Sequence, residues 1–330
     1  GLMEGFEKLP AYLGVPSVEI TAFPGGFSNL TYEVQVGDAS YVLRRPPHGL
    51  KIAKAHDMIR EFRVLQALEK AGYTKMPHPI SACEDETIIG APFFLMEKVE
   101  GMIIRNRPPA EATEAFFRQL SQSALDVLIE LHSLELSASG LGALGKPDGY
   151  ALRQVQGWAE RFQKAKTSEV PLIEKAFEWL LSSIPIESDV AFIHNDFKYD
   201  NLVLDSEDPC RIQSVLDWEM ATIGNPLMDL GTSLAYWAEE KDPEILKLFN
   251  LSHLPGNLTR EELMDYYFSK AAGSKEEMIF YYVFGLFKVA VIAQQIFKRY
   301  SLGHSTDARF AQLIYVVEAA GKKAIQTLQT

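Results

Sequence analysis

Apolar and polar positions along the first hundred residues alternate in short runs broken by turn residues. Residues 18–23 and 30–36 alternate with β-branched side chains, and residues 41–44 continue the pattern after a Gly37-Asp38 turn. A period of two marks half-buried strands, so these runs predict three antiparallel strands joined by tight turns. From residue 53 to 71 the period lengthens, and Met58, Phe62, Leu65 and Leu68 fall on one face of a helix. Residues 80–83 and 87–97 return to strand character. Beyond residue 100 the patterning is mostly helical, over 111–136, 153–166 and 169–183, with an apolar stretch at 278–297. Short β-type runs at 192–193, 202–204 and 212–216 interrupt it. The pattern predicts an α+β protein: an N-terminal antiparallel sheet with one main helix, then a larger, mostly helical part. At 330 residues the chain exceeds the usual size of a single core, so two lobes are expected. Residues 1–100 form the first and 101–330 the second.

The runs at 192–193 and 202–204 bracket an unusually polar loop, His194-Asn195-Asp196-Phe197-Lys198-Tyr199-Asp200-Asn201. The run at 212–216 ends abruptly in Asp217. Phosphoryl transfer needs such a supply: a carboxylate to orient the attacking hydroxyl, and a carboxylate with an amide oxygen for Mg²⁺. The order His194-x-Asp196-x-Lys198-x-x-Asn201 matches the protein-kinase catalytic loop, where an Asp takes the hydroxyl proton and an Asn five residues later holds a metal ion.

This stretch resembles the aminoglycoside phosphotransferase family and its choline-kinase-like relatives. The His-Asn-Asp-Phe-Lys-x-Asp-Asn form is most similar to the branch fused to acyl-CoA dehydrogenases. The resemblance runs from about Gly25 to Asp229 and more weakly to the C-terminus. It implies a protein-kinase-like two-lobed fold, with residues 1–100 binding the nucleotide and 101–330 carrying catalysis and the acceptor. The cofactors implied are ATP and Mg²⁺. Asp196 would orient the acceptor hydroxyl and take its proton, with Lys198 neutralising the transferred phosphoryl group. Asn201 and Asp217 would hold the metal, Asp229 would buttress the loop, and His194 would shape it. Glu219 would be a further acid near the metal.

On the nucleotide side, the turn with Gly25, Gly26, Ser28 and Asn29 corresponds to the loop that covers the phosphates. Glycines let backbone N–H groups approach a phosphate, and Ser28 and Asn29 add donors. Arg44 stands where kinases place a strand lysine, and Glu61 stands on the helix that holds that cation. Guanidinium can bind a carboxylate or phosphate through two parallel donors, so a fork-like Arg44–Glu61 contact is expected. Glu97 opens the hinge that meets the adenine through its backbone. Arg44 in place of lysine is also the one feature that favours a second reading, a nucleotide-binding pseudokinase module regulating a partner. The intact Asp196, Asn201 and Asp217 favour the enzyme.

Composition narrows the partners. A net charge of −12 argues against a nucleic-acid or anionic-membrane surface. Cys83 and Cys210 stand alone, without a disulfide framework or a thiolate metal site, which fits a reducing cytoplasm. The stretch 278–297 is apolar enough to suggest a span. Lys288 at its middle would cost about 2.5–3.5 kcal/mol on insertion, so a buried core helix is expected. The string from Gly140 to Lys146 spells a phosphate-loop pattern, but it ends in Pro147 and follows a helix, and it is rejected as a nucleotide site. His132 is expected to be packed and hydrogen-bonded rather than catalytic. The acceptor is a small-molecule hydroxyl. The resemblance leaves open a hydroxyacyl-CoA or hydroxy acid, an aminoglycoside or an amino alcohol. It alone implies association with an acyl-CoA dehydrogenase.

Overall fold

The computed structural model describes residues 3–23, 30–48, 52–110, 112–187 and 189–330, with backbone alone over 52–56. A short helix α1 (Leu9–Leu13) precedes a five-stranded antiparallel sheet of β1 (Glu19–Ala22), β2 (Leu30–Val36), β3 (Ala39–Arg45), β4 (Pro79–Cys83) and β5 (Phe93–Glu97), with helix α2 (Ile52–Lys70) between β3 and β4. The spatial order is β1-β2-β3-β5-β4. Gly37 takes φ +60° in the β2–β3 turn, where a side chain would be strained.

Alternation along β3 sends Val42 and Arg44 to one face and Leu43 and Arg45 to the other. The first face receives α2, whose Met58, Phe62, Leu65 and Leu68 are all buried. The second face packs under the N-terminal segment with Phe6, Leu9, Tyr32 and Phe93. The α2 face is continuous with the core of the C-terminal part, from Phe94 and Met96 to Leu128 and Trp218. The two lobes therefore share one apolar core behind the cleft.

The strand expected over 87–97 covers only β5. Residues 86–89 form a turn because the Asp85 carboxylate takes both Thr87 N–H and Thr87 O–H, and Gly90 closes it at φ +87°.

Helix α3 (Glu114–His132) is shorter at both ends than the periodicity suggests. Thr113 caps it by accepting from Phe116 N, and Ser133 ends it. Helices α4 (Tyr150–Ala165) and α5 (Pro171–Ser182) follow. Four short strands come next: β6 (Ala191–Ile193), β7 (Leu202–Leu204), β8 (Ile212–Val215) and β9 (Thr222–Gly224). Helices α6 (Pro226–Ala235), α7 (Arg260–Lys270), α8 (Met278–Ser301) and α9 (Leu313–Leu328) complete the chain.

Helix α8 is long and apolar enough to cross a membrane by length and composition. Here it packs against α4, α5, α6 and α9, with Phe284, Phe287 and Val291 buried. Its crossing with α6 is tight. A Cβ on Gly231 would lie 2.3 Å from Tyr281 O, and one on Gly285 would lie 2.4 Å from Gly231 O. The Gly140–Lys146 string is structural: Leu141–Leu144 forms a 3-10 turn, and Gly145 lies against Thr222 and Ile223 of β9.

Candidate active site

The strands flanking the polar loop do not pair with each other. β6 pairs with β9 and β7 with β8, both antiparallel. The connection from β6 to β7 and the connection from β8 to β9 must therefore leave the strands side by side. One carries residues 194–201 and the other carries Asp217. Leu216 N donates to Asn201 O at 2.7 Å, which sets Asp217 beside Asn201. Neither loop can wander, because both ends of each are held in ladders.

Many backbone groups of the first loop are then claimed. Asp229 on α6 is fully buried. It accepts from His194 N and Asn195 N, each at 2.8 Å, and from His132 Nε2 at 2.9 Å. His132 Nδ1 in turn takes the Tyr267 hydroxyl at 2.9 Å. Burial pushes the Asp229 carboxyl up, but His132 and the backbone donors outweigh it and leave it below its ordinary value. His194 is fixed as the tautomer with a proton on Nε2: Nδ1 accepts from Asp196 N at 3.0 Å and Nε2 donates to Leu216 O at 2.8 Å. It joins the two loops and presents neither nitrogen to the cleft. Ser233 Oγ donates to Phe197 O at 2.8 Å. Asn195 takes φ +71°, a strained backbone for a residue with a side chain. Its amide holds that conformation by donating to Tyr150 OH at 2.9 Å and Met220 O at 3.1 Å.

Four of the candidate side chains converge on this frame. Asn201 Nδ2 donates to Asp196 O at 2.8 Å and to Asp196 Oδ2 at 3.3 Å, leaving its amide oxygen as the atom able to meet a cation. Burial pushes the Asp196 carboxyl above its ordinary value, and Lys198 opposes the rise. Lys198 Nζ lies 3.8 Å from Asp200 Oδ1 and 4.5 Å from the centre of the Tyr236 ring. Burial works against its charge, but Asp196 and Asp200 more than offset that and hold the amine above its ordinary range. Asp217 adopts φ +65° where β8 ends.

The sheet contributes Arg44. Its Nε lies 3.2 Å from Glu61 Oε1, and its Nη2 lies 3.2 Å from Asp217 Oδ1. The fork-like Arg44–Glu61 contact does not form. The guanidinium is divided between two carboxylates, and its contact with Glu61 has ion-pair distance without hydrogen-bond alignment. Glu61 uses its second oxygen to accept from Trp218 N at 3.1 Å, so it reaches from α2 across to the residue after Asp217. Burial works against the charge of Arg44, but Glu61 and Asp217 outweigh it and raise its affinity for the proton. Arg45 belongs to the other face, where it donates to Pro46 O and Ile89 O. Glu97 ends β5 with its carboxylate accepting from His78 N at 3.0 Å, away from the cleft. The chain then crosses at Gly101, where a Cβ would meet Leu204 O at 2.5 Å, and Met102 bridges to Leu204 in β7. Gly25, Gly26, Ser28 and Asn29 lie outside the described residues.

A match to the phosphotransferase enzyme family spans residues 19–263, from β1 through both polar loops into α7. The chain belongs to that family. Mus musculus acyl-CoA dehydrogenase family member 10 is 34% identical over 330 residues, covering 97% of this chain and 30% of the relative. Homo sapiens acyl-CoA dehydrogenase family member 11 is 32% identical over 314 residues, covering 94% of this chain and 40% of the relative. The chain thus spans about a third of the length of these curated relatives. Among solved structures, a Ralstonia eutropha protein assigned as an aminoglycoside phosphotransferase superposes with a TM-score of 0.76 at 26% identity, covering 97% of this chain and 98% of that one. The streptomycin–ATP–APH(2")-IIa ternary complex shares the fold, with a TM-score of 0.59 at 17% identity over 89% of this chain and 90% of that one. The protein has the protein-kinase-like fold, and its family supports kinase-like phosphotransfer.

Several residues of the site carry no sequence signature. Tyr150 accepts from Asn195 Nδ2, and Trp218 donates its backbone N–H to Glu61 and packs edge-on against His194. Arg60 ties α2 to the second lobe by donating to Ala221 O and Leu144 O. Lys288 had a visible signal, a lone charge in an apolar run, but nothing in the sequence showed what it faces.

Proposed function

We propose that the chain is an ATP-dependent phosphotransferase that moves the γ-phosphoryl group to a hydroxyl of a small molecule. The observation that carries this reading is the meeting of Asp196, Asn201 and Asp217 on two loops whose backbones are fixed. A scaffold so fully bonded pre-organises charges for a reaction that relies on positioning and electrostatics. The acceptor oxygen attacks the γ-phosphorus as the bond to the bridging oxygen of the departing ADP breaks. The hydroxyl proton passes to the Asp196 carboxylate. Lys198, held against Tyr236, meets the charge of the transferred group. Arg44 turns from Asp217 to the α- and β-phosphates, steadied by Glu61. The segment beyond residue 97 would meet the adenine, and residues 1–100 form the nucleotide lobe.

The donor set fits Mg²⁺. Asn201 and Asp217 offer one amide oxygen and one carboxylate, both hard ligands. Among the described residues, no group of three or more His, Cys, Asp or Glu could hold a metal, so phosphates and water would supply the rest of the shell. The ion would neutralise phosphate charge when bound.

The names of the relatives support two acceptor readings. The acyl-CoA dehydrogenase names suggest a hydroxyacyl-CoA or hydroxy acid, with a dehydrogenase domain or partner acting on related thioesters. The antibiotic complexes among the structural neighbours suggest aminoglycosides or amino alcohols instead. An ATP-consumption screen across these classes and simple sugars tests the reading, with phosphorylated product detected by mass. One observation favours the pseudokinase reading: Arg44 engages Asp217, the acid assigned to the metal. ATP binding without turnover on any acceptor would favour that module over the enzyme.

A further inference from the structure

Lys288 sits in the middle of α8, 2% exposed among apolar neighbours. A buried ammonium is normally matched by a carboxylate, because leaving water is costly for a charge. Among the described residues, no ion pair includes Lys288. Its Nζ instead donates to Asn195 O at 2.6 Å and lies 5.6 Å from the centre of the Trp158 ring. The peptide joining Asn195 to Asp196 is therefore gripped on both edges. His194 Nδ1 takes its N–H, and Lys288 takes its C=O. This peptide leaves a residue at φ +71° and leads directly into Asp196.

We propose that Lys288 is a positioning residue for Asp196, acting through the Asn195 carbonyl and through its charge behind the loop. The proposal rests on the reading of Asp196 as the proton acceptor. The tight crossing of α6 and α8 explains how a helix so far along the chain reaches the loop. Gly231 and Gly285 bring the two backbones together, and Lys288 follows one turn later. Asp229, two residues before Gly231 on α6, accepts the N–H groups of the two preceding peptides. The loop is thus held by an acid from α6 and a base from α8.

The charge of Lys288 links this support to pH. Burial pushes its amine down to about 8. Asp196 from the loop and Asp229 from α6 resist the fall, while Arg161 from α4 and Lys198 from the loop add to it. α5 meets α8 through the stacked Phe177 and Phe287 rings. Below about pH 8 the ammonium grips the Asn195 carbonyl through a charge-assisted, stronger hydrogen bond. Above it, the neutral amine can still donate to the carbonyl, but its charge is gone. An alkaline limb should therefore appear in kcat and not in ATP affinity.

The experiment measures MgATP turnover by the full chain, with a confirmed acceptor or with water, between pH 6 and 10. It compares the wild type with Lys288→Gln, Lys288→Met and Asp196→Asn. Lys288→Gln keeps a donor and loses the charge. It should lower kcat at pH 7 about tenfold, leave the KM for ATP within about twofold, and abolish the alkaline limb. Lys288→Met should lower kcat further. Should the Met variant fail to fold, the Gln variant and a ¹⁵N titration of lysine Nζ in the wild type still decide the matter. One amine should titrate near pH 8 and be absent from the Gln variant. Wild-type kcat and an unchanged alkaline limb in Lys288→Gln would overturn the proposal, as would a lowered kcat with the limb intact. Full activity in Asp196→Asn overturns the proton-acceptor reading itself, a different result from failure of the Lys288 variants alone.

Discussion

Arg44 Nη2 lies 3.2 Å from Asp217 Oδ1, so the third strand of the sheet touches the acid two residues beyond β8 across the cleft. Glu61 completes the triangle on the other side of the guanidinium. The one cation that β3 sends into the cleft is thus already oriented, and Arg45 cannot substitute for it from the opposite face.

Removing that cation should be felt by the phosphates alone. Arg44→Ala is expected to weaken ATP by roughly 1.5–3 kcal/mol, about one to two decades, while adenosine binding is unchanged. Glu61→Gln should give a smaller loss in the same direction. Isothermal titration of the two single variants and the double variant should show non-additive losses, because both act through one contact. Unchanged ATP affinity in Arg44→Ala would remove Arg44 from phosphate binding and favour the pseudokinase reading.

The metal assignment predicts that EDTA weakens ATP binding and that Asp217→Ala has the same effect without chelator. Calorimetry with and without Mg²⁺ separates the two. Equal affinity under all of these conditions would sink the assignment of Asn201 and Asp217.

Asp196→Asn should lower kcat by about two to four decades and leave the Kd for ATP within a small factor. Burial raises the Asp196 carboxyl above its ordinary value of about 3.9. A base must be ionised to accept a proton, so kcat should fall as pH drops through a midpoint above that value. A pH profile still flat at pH 4 would contradict the role.

Asp229 is fully buried, with both oxygens accepting backbone hydrogens and one also taking His132. Asp229→Asn replaces one acceptor oxygen with a donor that must face an N–H. The expected loss of stability is roughly 3–5 kcal/mol at pH 7, read from urea unfolding. The sign with pH follows from its lowered proton affinity in the folded state. Its stabilisation is full above the unfolded carboxyl's value and is lost as pH falls through the lower folded one. The gap between wild type and variant should therefore narrow in strong acid, and a constant gap would show that charge plays no part.

Local pattern determined much of this protein. Period-two runs fixed β1, β2 and β3, and the face of Met58, Phe62, Leu65 and Leu68 fixed α2, because these signals need only neighbours in sequence. The spacing from His194 to Asn201, with Asp217 just beyond a strand, marked the candidate site because fixed ligand geometry demands fixed spacing along a loop. Side-chain capping was less visible: the Asp85 hydrogen bonds turned an expected strand into a turn, and the Thr113 cap set where α3 begins. Tertiary structure alone decided the rest. The pairing of β6 with β9 and β7 with β8 brought Asp217 beside Asn201. The Arg44 guanidinium went to two acids instead of forming a fork with one, because Asp217 arrives from 173 residues away. Lys288 reached a carbonyl 93 residues distant because two glycines let two helices touch. A sequence specifies such contacts only through the whole packed core, and no single stretch of it records them.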